Sequence, residues 1–453
     1  VSDTIAARAT APGAAAVAVI RVSGPRALDI LSRLFRPTHA AGLAPWRLHV
    51  GRLVIPAGDT VDECLAVFMP APRSYTAEDV VEFHLHGGPA VVERALELVF
   101  AAGARPAGPG EFTRRAFLAG KIDLAQAEAV RELIEARTEA GARLAAAHLS
   151  GGLSRRIAEV RETLADLLAQ AEAAIDFPED EVEVLPPAQA AAALRSGALT
   201  ALERLLADCR AARPWREGAQ VAICGRPNVG KSTLLNALLG RERALTSPEP
   251  GTTRDFIEET IELSGLAVRL VDTAGLREGA RGIEAQGVAL AEERLAAADL
   301  ALAVLDAGEP LREGDLALAE RLSTRPHLVV LNKADLPQRL TLEEARRRFP
   351  GAAGVLSVSA LKGEGIEGLK ERLASLLAPE ALPAVAPGLR HQDALRRTRE
   401  ATLSAVSALE AGLPAEVFAA ELKAALTALG EVCGETATEE ILERIFSRFC
   451  IGK

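Results

Sequence analysis

The sequence predicts a chain of mixed architecture, α/β at its N-terminus and α through its middle and end, with a second α/β domain inserted among the helices. Three observations carry this. Residues 1 to about 118 alternate apolar runs of strand length with helix starts. From about 119 the pattern changes to alanine- and leucine-rich segments of helical period, which stop near 214 and resume after about 378. Between them, from about 215 to 378, short apolar runs each end on a polar loop, as buried parallel strands do.

In the first region the strand-like runs are Val17 to Val22, Leu48 to Ile55, Cys64 to Phe68 and Val80 to His86. Helices are expected from near Pro25 and Pro89, since proline suits a first helical turn. Helical periodicity then runs from Leu124 to Leu149, from Leu153 to Ile175 and from Pro187 to Ala212, broken at Ser150-Gly-Gly and Asp176-Phe-Pro-Glu-Asp-Glu. The acidic stretch Glu179 to Glu183 reads as a solvated connection. Later helices are expected over Gln392 to Ala411, Ala415 to Leu429 and Thr438 to Phe449. A helix with one apolar stripe needs a partner, so helices before and after the insertion are expected to pack together. The domains so drawn are 1–118, 119–214, 215–378 and 379–453.

Composition narrows the classes. A chain of 453 residues suits two to four domains, and 49% hydrophobic content supplies their cores. With 52 basic and 62 acidic residues the net charge is -10, so a broad cationic sheath for nucleic acid is lacking and any RNA contact must be local or shared with a partner. Aromatics at 3%, with Tyr75 the single tyrosine, argue against a base-stacking platform. Cys64, Cys209, Cys224, Cys433 and Cys450 are odd in number and lack CxxC spacing, which argues against a disulfide framework or zinc site and fits a reducing cytoplasm. No apolar run reaches spanning length and no signal-peptide pattern is seen, so a soluble, cytoplasmic protein without a membrane partner is expected.

The chemistry-bearing motif is Gly225-Arg-Pro-Asn228-Val229-Gly230-Lys231-Ser232, between the apolar run Ala219 to Cys224 and the helical Thr233-Leu-Leu-Asn-Ala-Leu-Leu. Backbone N–H groups ending at a helix N-terminus hold polyphosphate, the lysine reaches the outer phosphates, and the serine hydroxyl can take Mg²⁺. Three further elements raise this P-loop to a Ras-like GTPase domain. Asp272-Thr273-Ala274-Gly275 supplies a second carboxylate for Mg²⁺ and a glycine N–H for the γ-phosphate. Asn332-Lys333-Ala-Asp335 supplies a carboxylate for the paired N–H donors of guanine, which adenine lacks; Ser359-Ala360-Leu361 completes the base pocket with backbone contacts. Pro250-Gly-Thr252-Thr253-Arg-Asp255 stands where switch I belongs, and either threonine could coordinate Mg²⁺. The residue after Gly275 is Leu276, which cannot polarise water, so the orienting group must come from elsewhere. Glu284 is the nearest downstream carboxylate with glycine-rich flanks, and by spacing alone it would be an ordinary solvated residue.

The order of these parts, with Ala77-Glu78-Asp79 followed by His86-Gly-Gly, Gly110-Glu-Phe-Thr-Arg-Arg-Ala-Phe-Leu-Ala-Gly-Lys121 and the tail Phe449-Cys450-Ile451-Gly452-Lys453, closely resembles the MnmE (TrmE) family of tRNA-modification GTPases over the whole chain. The resemblance implies GTP hydrolysis coupled to tRNA modification. It implies a flavin-dependent partner, MnmG, that carries the FAD and joins this protein in a heterotetramer, the two together adding an aminomethyl or carboxymethylaminomethyl group at C5 of the wobble uridine of certain tRNAs. The carbon comes from 5,10-methylene- or 5-formyl-tetrahydrofolate, and Arg21, Glu78, Lys121 and Lys453 match the family's folate-contacting positions. The resemblance further implies Mg²⁺ at Ser232 and Thr253, K⁺ held by Asn228 with Ser247, Glu249 and Thr252, and Glu284 as the group that activates water. It also implies a homodimer through the N-terminal domains, and leaves Cys450 open between a functional thiol and a structural position. One departure is Pro12-Gly13-Ala-Ala-Ala-Val-Ala, where the family has a glycine-rich turn; the added methyl groups restrict the backbone there. A ribosome-assembly GTPase binding rRNA would share the nucleotide motifs, but no RNA-binding GxxG or basic extension is evident. A dynamin-like membrane GTPase would need an amphipathic or spanning element, which is also lacking.

Overall fold

The computed structural model describes residues 3–39, 42–56, 58–176, 186–240, 258–272, 293–378 and 381–453. They form two compact units, one of 1–131, 148–203 and 390–453, the other of 132–147 and 204–389.

The first unit holds a seven-stranded sheet in the order β3-β4-β5-β6-β2-β1-β7. Its strands are β1 Ile5–Arg8, β2 Ala15–Ser23, β3 Phe35–Pro37, β4 His49–Val54, β5 Thr60–Met69, β6 Val80–Gly87 and β7 Arg105–Pro106. Neighbours are antiparallel except β1 and β7. Side chains alternate across a strand, so Ala18, Ile20, Val22, Phe83 and Leu85 bury against helices Ala27–Leu34 and Pro89–Ala101, through Ile30, Leu31, Val92 and Val99. Val17 and Val50, on the alternate positions, stay exposed. The four long strands stand where the sequence pattern puts them, whereas β1, β3 and β7 have only four, three and two residues and are too short to show a period.

In the same unit, helix Gly152–Asp176 turns Leu153, Ile157, Val160, Leu164, Leu167 and Ala171 to one side and packs along helix Ala415–Cys433. Leu442, Phe446 and Phe449, on and just after helix Glu439–Phe446, close over Leu124 and Ala127. The expected single helix from Leu124 to Leu149 is two, Leu124–Glu135 and Glu139–Leu149, most of the second belonging to the other unit. Thr138 Oγ1 accepts the Gly141 N–H at 3.1 Å, an N-terminal cap that restarts the helix. The stretch after Pro187 also differs: Pro187–Ala193 passes through a widened π turn, Leu194–Leu199, into Thr200–Glu217. There the Thr200 hydroxyl donates to the Arg195 carbonyl at 2.9 Å, five residues back. Among the described residues no helix is long and apolar enough to cross a membrane.

The second unit holds a six-stranded sheet in the order β13-β12-β11-β8-β10-β9, formed by β8 Ala219–Cys224, β9 Glu258–Leu263, β10 Leu266–Asp272, β11 Leu300–Asp306, β12 His327–Asn332 and β13 Val355–Ser357. Only β9 runs antiparallel, against β10. Every residue of β11 and β12 is buried, the signature of strands covered on both faces. β8 lies between β11 and β10, so chain order reverses at its carboxyl end, and that is where open α/β sheets bind ligands.

Candidate functional site

The loop after β8 runs into helix Lys231–Leu239 through Gly230, whose φ of 93° lies in the left-handed region. A Cβ on Gly230 would stand 2.3 Å from Asn332 Nδ2, so glycine is required there on both counts. Asn228 also has positive φ, 64°, which asparagine tolerates better than most residues, and its side chain is exposed. Lys231 is buried and its Nζ donates to the Arg226 carbonyl at 2.7 Å. Ser232 and Thr233 follow in the first helical turn.

The base-side loops close on the same sheet edge. Asn332, buried at the end of β12, donates from Nδ2 to the Val229 carbonyl at 2.9 Å and accepts the Ala360 N–H on Oδ1 at 3.0 Å. One amide thus ties the loop after β8 to the loop after β13, a role that the motif alone did not assign. Lys333, at φ 67°, donates to Asp306 Oδ2 at 2.6 Å. Ser359, fully buried, donates to Asp335 Oδ1 at 2.6 Å, and this hydrogen bond is the main cause that lowers the Asp335 carboxyl below its usual range. Leu361 is 79% exposed. Asp272 ends β10 opposite Ile223 of β8. Ser247, Glu249, Thr252, Thr253, Thr273, Ala274, Gly275 and Glu284 lie outside the described residues.

The first unit gathers a second set of residues. Arg21, on β2, donates from Nε to Glu82 Oε1 at 2.8 Å, and its guanidinium carbon lies 5.1 Å from the Tyr75 ring centre and 5.7 Å from that of Phe112. Burial alone would raise the Glu82 carboxyl, but His84 and Arg21 outweigh it and hold it low. The tail docks here. Phe112 N–H donates to the Lys453 carbonyl at 3.2 Å, Gly110 N–H to the Cys450 carbonyl at 3.5 Å, and Ile451 bridges to Pro109. Gly452, at φ 99°, passes so close to β1 that a Cβ would stand 2.1 Å from the Arg8 carbonyl oxygen. Burial, and then the Arg21 guanidinium, lower the Lys453 amine below its usual value. Glu78 is engaged differently: it accepts from Ser23 Oγ at 2.7 Å and from Arg115 Nη1 at 3.0 and 3.1 Å. Lys121 is exposed, its Nζ 3.4 Å from the Arg73 carbonyl.

Glu82, Phe112 and Arg115 escaped the sequence reading, although the last two lie inside the quoted Gly110 to Lys121 motif. His84 and His86 turn to carboxylates, Glu82 at 3.3 Å and Asp62 at 2.7 Å. Of the cysteines, Cys64, Cys209 and Cys433 have thiols pushed up to about 12 by burial, whereas Cys450 is exposed.

Comparison with known proteins identifies the family. The model of the GTP-binding protein TrmE N-terminus matches residues 4–121, and that of the MnmE helical domain matches residues 124–450. A tRNA modification GTPase MnmE of Moorella thermoacetica is 46% identical over 467 residues, covering 100% of this chain and 99% of that one. Its namesake in Symbiobacterium thermophilum is 46% identical over 456 residues, with 100% and 99% covered. Among solved structures, Aquifex aeolicus Era matches at 30% identity over 40% of this chain and 66% of that chain, with a TM-score of 0.30. Matched from end to end at this identity, the chain belongs to the MnmE family of tRNA modification GTPases and hydrolyses GTP in tRNA modification.

Proposed function

We propose that this protein is a K⁺-dependent GTPase that works with an MnmG-type flavoprotein to install the aminomethyl or carboxymethylaminomethyl group at C5 of the wobble uridine of certain tRNAs, using the one-carbon unit of a tetrahydrofolate. The observation that carries the folate part is the tail seated beside Arg21. A guanidinium flanked by two aromatic rings, with an amine beside it, has the donors and flat apolar surface that suit a pterin and its glutamyl carboxylate. Arg21 and Lys453 would orient the folate, with Glu78 and Lys121 at its margins and Cys450 exposed next to it. FAD remains on the partner.

In the GTPase, Asp335 reads the N1–H and 2-amino edge of guanine, Ser359 through Leu361 line the base, and Lys231 with the loop N–H groups takes the phosphates. Ser232, Thr253 and Asp272 offer the hard oxygen donors that Mg²⁺ prefers. The exposed carboxamide of Asn228 suits K⁺, completed by Ser247, Glu249 and Thr252; when bound, that ion supplies the charge an arginine finger supplies elsewhere. Glu284 orients the attacking water. The exposed apolar residues Val17, Leu48 and Val50 of the N-terminal unit support a homodimer, and a cytoplasmic setting fits a tRNA substrate.

Two expected results follow from this reading. Hydrolysis should run faster in K⁺ than in Na⁺ at equal ionic strength, and Asn228→Ala should remove the difference while nucleotide binding persists; a wild-type rate indifferent to the cation rejects the K⁺ site. Deleting Cys450 to Lys453 should abolish binding of 5-formyltetrahydrofolate in calorimetry and the wobble-uridine modification seen by mass spectrometry, with intrinsic GTP hydrolysis nearly intact. Arg21→Ala should act in the same direction. Folate binding equal to wild type in both variants would reject the folate site.

A further inference from the structure

The loop after β8 is held by side chains from the segment that follows β11. Arg226, the second residue of the loop, donates from Nε to both oxygens of Asp315 at 2.8 Å, and from Nη2 to Glu309 at 3.2 Å. Asp315 is 2% exposed, in the first turn of helix Glu313–Leu322, and also accepts the Arg312 N–H at 3.0 Å. The preceding residue is glycine, and a Cβ on Gly314 would press on the Arg226 stem at 3.1 Å. An exposed pair of this kind would contribute little, but here the carboxylate is out of water and its oxygens are occupied by donors. A guanidinium so held restrains the backbone that carries it. That backbone presents the Arg226 carbonyl, which accepts Lys231 Nζ at 2.7 Å.

We infer that Asp315 is a positioning residue for GTP: it fixes Arg226, and thereby the carbonyl that aims Lys231 at the phosphates. The inference rests on the phosphate role of Lys231. The stretch from the end of β11 to Asp315 then holds both ends of the nucleotide site, because Asp306, the last residue of β11, holds Lys333 of the base loop.

The test compares GDP with guanosine, which shares the base and lacks the phosphates, on Asp315→Ala, Asp315→Asn, Arg226→Ala and the Arg226→Ala/Asp315→Ala pair. Asp315→Ala and Arg226→Ala should each weaken GDP about tenfold and leave guanosine within about twofold, with the double variant no weaker than the worse single one. Asp315→Asn keeps an acceptor for the Arg312 N–H, hence the helix start, and loses the charge; it should also weaken GDP selectively. Equal losses of GDP and guanosine, additive losses in the double variant, or unchanged GDP affinity would each overturn the inference. Lys231→Ala with wild-type GDP affinity would instead reject the phosphate role of the lysine.

Discussion

Arg115→Ala is expected to destabilise the N-terminal unit by about 3 kcal/mol, the cost of leaving one partner of a buried ion pair uncompensated. Arg115 is 4% exposed and reaches three carboxylates: Glu78 through Nη1, and Asp3 and Glu111 through Nη2 at 2.8 and 3.0 Å. Its Nη1 also donates to the Asp3 carbonyl at 3.0 Å. Alanine would leave Glu78 without its cationic partner, while Glu111 and Asp3 keep Arg105. The same substitution should loosen helix Glu111–Leu118, whose Phe112 N–H holds the tail, so folate binding should fall with stability. The Glu111 carboxyl is held low in spite of burial, by Arg105, the Gly108 N–H and Arg115. Its contribution is therefore complete above the ordinary carboxylate range and fades as pH falls through the lowered value. Without Arg115 the carboxyl is lowered less, so this pH-dependent contribution should shrink and its loss should be complete at higher pH. Denaturant unfolding at neutral and acidic pH, followed by the near-ultraviolet signal of Tyr75, measures both effects; a loss below about 1 kcal/mol, the range of exposed pairs, would mean the network is solvated.

Asp335→Asn is expected to weaken GTP about a hundredfold and to move preference toward xanthosine triphosphate, whose base edge offers an acceptor where guanine offers a donor. Ser359 Oγ donates to Asp335 Oδ1 at 2.6 Å, which orients the carboxylate and keeps it ionised. An asparagine can accept the same hydroxyl through its carbonyl oxygen, which turns its NH₂ toward the base; the loop should survive while the pattern of donors inverts. Competition binding with the two nucleotides reads the switch directly. Unchanged GTP affinity would remove Asp335 from the base pocket.

The strands of the second unit's sheet were legible because an apolar run is local. The strands β8, β10 and β12 are contiguous apolar runs, each followed at once by a polar motif, so the strands show in the sequence, whereas their side-by-side order, with β8 between β11 and β10, does not. The Asn332 bridge was not legible, since Val229 and Ala360 come from different loops and nothing in the motif says that one amide serves both. The clamp of Arg226 on Asp315 was hidden for the same reason. Helix ends gave way where side chains competed for the backbone, as at Thr138 and Thr200.

The tail and the N-terminal sheet mark the division most clearly. Hydrophobic period, glycine positions and charged motifs along the chain determined the α/β and helical character of its regions and the family to which it belongs. Only the tertiary structure decided that Lys453 lies beside Arg21 and that Glu78 is engaged by Arg115, because those contacts join residues from opposite ends of the chain or from separate elements. Period and propensity act over a few neighbouring residues, whereas such contacts depend on how whole elements pack, and a linear pattern carries no direct record of that packing.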